Sequence, residues 1–200
     1  MKSFVLLSLF ALLPVGLFLR SPAPGAAVAP DAASYTIDNV HSTAMFRVKH
    51  MNTSWFYGRF NKISGSVAYD EAKPEAGSIS IEIAADSVDT HNDGREKHIK
   101  SPDFFSVAEF PTMTFKSTKV AKKDKQLSVT GDLTFHGTTK SVTVDVDVVG
   151  TGEMRGTKIA GFETKFDFKR SEYGCKGLLD GIGDDVRVLI SLECGAEKKK

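Results

Sequence analysis

The run Val142-Thr143-Val144-Asp145-Val146-Asp147-Val148 sets four valines on one side of an extended chain and Thr143, Asp145 and Asp147 on the other, because side chains along a strand alternate between faces. It reads as a strand with one dry face and one wet one. The same period of two recurs at Ile79, Ile81 and Ile83; at Leu127 and Val129; at Leu133 and Phe135; at Phe162, Phe166 and Phe168; and at Val186, Val188, Ile190 and Leu192. Extended stretches are predicted over 35–38, 44–50, 58–70, 78–88, 112–119, 126–135, 140–149, 157–169 and 186–194. Short turns join most of them. Too few helical segments exist to cover the apolar face of such a sheet, so the sheet has to cover itself. Gly65, Gly77, Gly131, Gly137 and the glycines of 150–156 fall at or inside strand ends, where bulges and sharp bends are expected. Near-consecutive antiparallel pairing without a long crossover loop predicts an all-β fold, an antiparallel up-and-down barrel of about eight strands rather than a Greek-key sandwich.

Composition bounds the rest. The chain has 200 residues, 41% hydrophobic and 26% charged, the balance of one globular domain behind a leader. A net charge of +1, from 26 basic and 25 acidic residues, makes no broad field for nucleic acid or an anionic membrane. Lys119, Lys122, Lys123 and Lys125 beside Asp124 read as a solvated turn. At the N-terminus Lys2 precedes an apolar run from Phe4 to Leu19, and small residues such as Gly25-Ala26-Ala27 follow. This is the pattern of an export signal. It divides the chain into a signal segment at 1–29, a barrel domain at 34–195 and a basic tail at 196–200, with a periplasmic or secreted location. The run falls short of the roughly 20 apolar residues of a spanning helix, and an uncleaved anchor with a linker stays open. No cysteine follows the run, which excludes a lipoprotein anchor. Cys175 and Cys194 are allowed to pair after export. Cys194 continues the inward parity of the last strand, whereas Cys175 precedes that strand, roughly 25 Å away if the chain is extended. A disulfide and two free thiols both remain open.

Between strands, Asn92 or Asp93 can cap a helix, Glu96 can complete a capping box and Pro102 stops the segment. A short helix is predicted over 94–101, and a second helical turn near 178–182.

The segments His41-Ser42 leading to Phe46-Arg47-Val48-Lys49-His50, Gly58-Arg59-Phe60, Arg95-Glu96-Lys97-His98-Ile99-Lys100-Ser101-Pro102-Asp103-Phe104-Phe105, Phe110-Pro111-Thr112-Met113-Thr114-Phe115-Lys116-Ser117 and Gly131-Asp132-Leu133-Thr134-Phe135-His136-Gly137-Thr138-Thr139-Lys140 resemble, in order, the YceI-like, polyisoprenoid-binding, lipocalin-like family. The resemblance runs from about Tyr35 to Leu192. It implies an exported, elongated, lipocalin-like barrel whose apolar tunnel holds a long isoprenoid lipid or quinone, and it implies binding rather than catalysis. Glu96 departs from the Asp more usual there, and the two cysteines lie outside the family pattern.

From the residues alone, a barrel of this size is either filled by its own side chains or holds one slender ligand. Fourteen Phe could plug it. If it is open, inward parity assigns the lining to Phe46, Val48, Phe60, Ile81, Ile83, Leu133, Phe135, Phe162, Phe166 and Phe168, and to Phe104, Phe105, Met113 and Phe115 around the helix exit. Arg95 and His98 share a helix face and either meet a head group at the mouth or tie the helix to the rim. His50 shares the inward parity of Phe46 and Val48 and reads as a core imidazole; His136 faces opposite to Phe135 and reads as surface. The run Trp55-Phe56-Tyr57 suits cross-strand packing or contact with an apolar ligand. No histidine pair has metal-site spacing, and no nucleophile elbow or phosphate loop is present. No metal or cofactor is expected. The remaining alternatives are an isoprenoid- or quinone-modifying enzyme using the same tunnel and a plugged structural or interaction barrel, and homodimer formation is left open.

Overall fold

The computed structural model describes residues 33–196. The segment 1–29 and the tail beyond Ala196 lie outside the described residues. Eleven strands run in the order β1 (Ala33–Ile37), β2 (Thr43–His50), β3 (Ser54–Phe60), β4 (Ile63–Tyr69), β5 (Ser78–Ala84), β6 (Val88–Asp89), β7 (Thr112–Lys123), β8 (Gln126–Phe135), β9 (Thr138–Met154), β10 (Thr157–Lys169) and β11 (Ile182–Ala196). They form one antiparallel sheet, β1-β4-β5-β7-β8-β9-β10-β11-β2-β3-β6. The sheet closes because β1 pairs with β11 as well as with β4.

The strands form eight staves, three of them broken. β1 and β2 lie end to end along β11, β4 and β3 pair with them in turn, and β5 and β6 follow. The continuous strands expected over 58–70 and 78–88 are therefore each two pieces. At the breaks, polar side chains take over from the ladder: Lys62 N donates to Ser87 Oγ at 3.1 Å and Ile63 N to Asn39 Oδ1 at 2.7 Å. At the break before β2, Ser42 Oγ accepts from Glu193 N at 3.1 Å. Saturating these backbone groups lets the wall bend without orphaned donors. The strands expected over 112–119 and 140–149 extend further, to Lys123 and Met154, so Lys119, Lys122 and Lys123 stand in β7 rather than in its turn.

Helix α1 (Asp93–Ile99) sits at one end of the barrel. Asn92 is the cap, accepting from Arg95 N at 2.8 Å, and Glu96 reaches past it to Thr90 N at 2.7 Å. Those backbone donors hold the Glu96 carboxyl below its usual range. The helical turn expected near 178–182 is a hydrogen-bonded turn instead, with Gly181 N and Ile182 N both donating to Leu178 O at 3.0 and 2.7 Å. Leu178 has φ +48, a left-handed backbone that cannot propagate a helix. A 3₁₀ turn forms earlier, at Arg170–Tyr173.

Two packed regions result. Tyr35, Ile37, Val67, Tyr69, Val129 and Cys194 belong to the main core, and Phe135, Tyr173 and Cys175 anchor a second at the helix end. The two cysteines thus lie in separate clusters, both buried and both free. Burial pushes the Cys194 thiol up to about 11. Maleimide should label neither thiol in the native protein and both after denaturation, with no mobility change on reduction; a reducible native species would contradict the free-thiol structure.

Asp89 holds β6 to β3. It accepts from Asn61 Nδ2 at 3.1 Å, from His91 N at 3.1 Å and from the Arg59 guanidinium at 3.0 and 3.1 Å. These donors, Asn61 foremost, lower its pKa from 3.8 to about 2. A depressed carboxyl contributes stability above its unfolded pKa and loses it as pH falls through the folded value. The Tm gap between wild type and Asp89→Asn should therefore be full above pH 4 and close as pH falls toward about 2. A gap independent of pH across that window would refute the assignment.

Candidate functional site

The barrel encloses a cavity of about 480 Å³, within the range of small-molecule sites. All the residues that parity assigns to the lining reach it: Phe46 and Val48 from β2, Phe60 from β3, Ile81 and Ile83 from β5, Met113 and Phe115 from β7, Leu133 and Phe135 from β8, and Phe162, Phe166 and Phe168 from β10. Phe104 and Phe105 join them from the segment after α1. Tyr35, Tyr69, Val67 and Val129 are buried without lining the cavity, and the Tyr69 ring meets Phe162 edge-on at 5.4 Å. The cavity is thus a blind bore, filled at its far end and open toward the helix.

The phenylalanines form a continuous chain of ring contacts at the helix end of the bore, in which Phe105, from the segment after α1, bridges Phe60 of β3 and Phe135 of β8. Phe46 lies 5.5 Å from Phe60, Phe60 lies 5.8 Å from Phe105, Phe105 lies 5.8 Å from Phe135 and Phe135 lies 5.6 Å from Phe168, centroid to centroid. Tilted and edge-on arrangements of this kind are favoured by ring quadrupoles. Two glycines make room in the wall. Gly58 pairs with Phe46 across β2 and β3, and a Cβ there would stand 2.4 Å from the Phe46 ring. At Gly131 a Cβ would stand 2.5 Å from the Phe115 ring. The missing side chains let both rings lie back against the sheet.

Polar groups gather at the mouth. The Arg95 guanidinium donates to Thr90 Oγ1 at 3.1 Å and to Thr90 O at 2.5 Å, and lies 4.6 Å from the centroid of the Phe56 ring. His98 Nε2 is 3.0 Å from Asp103 Oδ2, with its ring edge-on to Phe104 at 5.1 Å. Arg95 therefore ties the helix to β3 at the rim, whereas His98 fastens it to the segment that follows it, and both side chains also line the opening.

Residues outside the predicted set add to the lining. Phe56 is the inward member of the Trp55-Phe56-Tyr57 run, while Trp55 and Tyr57 face outward. Arg170 is 4% exposed; its guanidinium donates to Gly183 O at 2.9 Å, Ile182 O at 2.7 Å and Cys175 O at 3.2 Å. Cys175 borders the bore beside it. Burial raises the Cys175 thiol, opposed by the Arg170 hydrogen bond and charge. Both residues belong to the segment after β10, where strand periodicity says nothing.

Two histidines differ from expectation. His50 is exposed at the mouth rather than buried, because parity gives a side chain's direction and not its depth, and β2 ends there. His136 is half-buried, 4.7 Å from the Phe110 ring, with no protein partner for Nε2. Its φ of +49 ends the extended backbone on which the outward reading relied. Among the described residues, Asp38, His41 and Glu193 alone bring three metal-capable atoms within 4.8 Å of one another. His41 Nδ1 pairs with Asp38 Oδ2 at 2.7 Å, a clasp where β1 gives way to β2.

A closed barrel with a blind apolar bore and a helix across its mouth matches a known domain. The YceI-like domain model matches residues 35–194. The chain belongs to the YceI-like family. A UPF0312 protein of Pseudomonas aeruginosa is 40% identical over 165 residues, covering 81% of this chain and 86% of that protein. Protein YceI of Escherichia coli O6:H1 is 39% identical over 171 residues, covering 84% and 89%. Among solved structures, Burkholderia cenocepacia BcnA superposes with a TM-score of 0.72 at 26% identity, over 78% of this chain and 98% of that one. A polyisoprenoid binding domain from Saccharophagus degradans shares the fold, with a TM-score of 0.65 at 18% identity over 84% of this chain and all of that one. The YceI-like barrel is thus the architecture on which the bore is built.

Gly58→Ala tests how the bore is kept open. The three atoms nearest the new methyl all belong to the Phe46 ring, so the ring must swing inward. Uptake of diphenylhexatriene, a rod-shaped apolar fluorophore, should weaken about tenfold, the equivalent of ~1.4 kcal/mol of overpacking, with a two-state melt retained. Unchanged uptake would show that Gly58 does not set the free width.

Proposed function

We propose that this YceI-like protein is an exported carrier that holds one elongated apolar lipid, a polyisoprenoid or isoprenoid quinone, tail-first in the bore. The observation that carries the reading is the enclosed cavity of about 480 Å³ with phenylalanine and aliphatic walls. Polar groups are concentrated at its mouth, where a head group would remain. Hiding roughly 400 Å² of lipid tail would contribute about 10 kcal/mol before the chain's ordering is subtracted. Affinity then needs no ionic contact, and chain length and width set selectivity. The domain of Saccharophagus degradans that shares the fold is a polyisoprenoid binding domain, which agrees with this cargo. The leader-like segment 1–29 supports a periplasmic or secreted site of action.

Organic extraction of protein purified from its native compartment should yield isoprenoid lipid near one per chain by mass spectrometry. Phe166→Glu should abolish that yield, because it sets an unpaired carboxylate in an apolar bore, and Phe166→Leu should keep it. A folded Phe166→Glu protein that retains the full lipid complement would overturn the proposal, as would wild type that yields no lipid.

A further inference from the structure

We propose that the rim of the bore is a membrane-docking surface whose occupant is an anionic phospholipid bilayer. The inference rests on the reading of the bore as a lipid site and extends it to how the lipid is collected. Four of the eight exposed large apolar side chains among the described residues stand at the mouth: Met51 at 60% exposure, Trp55 at 45%, Leu178 at 59% and Leu179 at 41%. Single exposed apolar side chains are ordinary. Met51, Leu178 and Leu179 sit on two loops that touch, since Met51 N donates to Gly181 O at 2.6 Å; Trp55 stands at the start of β3, directly after the first loop, and Leu178 also lines the bore. The apolar rim is continuous with the apolar interior.

The backbone holds these side chains outward. Met51 and Asn52, with φ 49 and 54, form the tip of the β2–β3 hairpin, closed by Thr53 N donating to His50 O at 3.0 Å. Such tips favour Asn, Asp and Gly, yet the first position here is methionine. Leu178, at φ +48, repeats the arrangement on the facing loop. Bulky side chains are uncommon in that region of backbone space, and here both point into solvent beside the opening.

Charge identifies the occupant. The hairpin residues 45–57 carry Arg47 and Lys49 and no carboxylate, and the facing loop carries one charge of each sign, Lys176 and Asp180. The Arg47 guanidinium lies 4.2 Å and Lys49 Nζ 5.6 Å from the centroid of the Trp55 ring. An indole flanked by cations above exposed aliphatic side chains is suited to the boundary between acyl chains and anionic head groups. The chain's net charge of +1 provides no long-range pull, so the attraction is local to the hairpin. Seated this way, the bore opens onto the bilayer, and a tail passes between two apolar phases without crossing water.

Trp55 is the only tryptophan, so its fluorescence reports on the rim alone. With vesicles of phosphatidylglycerol and phosphatidylcholine its emission should shift to the blue and be quenched by brominated acyl chains. Vesicles of phosphatidylcholine alone should give a weaker response. Met51→Asn/Leu179→Ser suits the turn and removes two apolar side chains; it should weaken partition about tenfold. Its retention of a polyprenol delivered in detergent should match wild type. Emission unmoved by vesicles, or equal partition of wild type and variant, overturns the docking surface. Conversion of a dimer to a monomer by the variant with vesicle binding unchanged would assign the rim to a second copy and also overturn it. If neither protein retains polyprenol, the cargo proposal fails, while the Trp55 shift still decides docking.

Discussion

Three residue pairs close the molecule: Tyr35 with Ala196, Thr36 with Gly195 and Ile37 with Cys194. β1 is only five residues long, yet by pairing with both β4 and β11 it converts a curled sheet into a cylinder. Without that seam the inward faces of β4 and β11 would meet water, and both edges would be open for pairing with other chains. The seam joins an early segment to the end of the barrel domain, so the interior is sealed only when the last strand is in place. The end-to-end arrangement of β1 and β2 along β11 follows from this, because one long strand serves two short partners. The clasp of His41 and Asp38 lies where the chain passes from one to the other.

Closure alone does not make a container. An eight-stave barrel is narrow enough for aromatic side chains to fill, and the lower part is filled in this way by Tyr35, Tyr69, Val67 and Val129. The upper part differs because backbone faces ring at two places, with Gly58 behind Phe46 and Gly131 behind Phe115. Each missing Cβ turns a potential obstruction into wall. The aromatic residues then give the bore a continuous surface whose contacts hold its width.

Alternation along strands was enough to recover the barrel and the inward faces, because both are local consequences of side-chain direction. Val142 to Val148 and Phe162 to Phe168 could be read without knowledge of their neighbours. The breaks in three staves escaped that reading, since they depend on Ser87, Asn39 and Ser42 reaching backbone groups on other segments. Arg170 and Cys175 escaped it too, because they lie outside any period. Whether the cylinder was hollow was equally hidden: it turns on which residue stands opposite each phenylalanine, and pairing register is a property of two strands. The resemblance to YceI-like sequences supplied an expectation of hollowness that periodicity could not.

The closed far end has a kinetic corollary. A compartment with a single doorway cannot be emptied by pushing from behind, and an incoming molecule finds the entrance blocked until the resident has gone. Departure would then be a first-order event whose rate ignores the concentration of any rival, and the terminal group last to enter would be the first to leave.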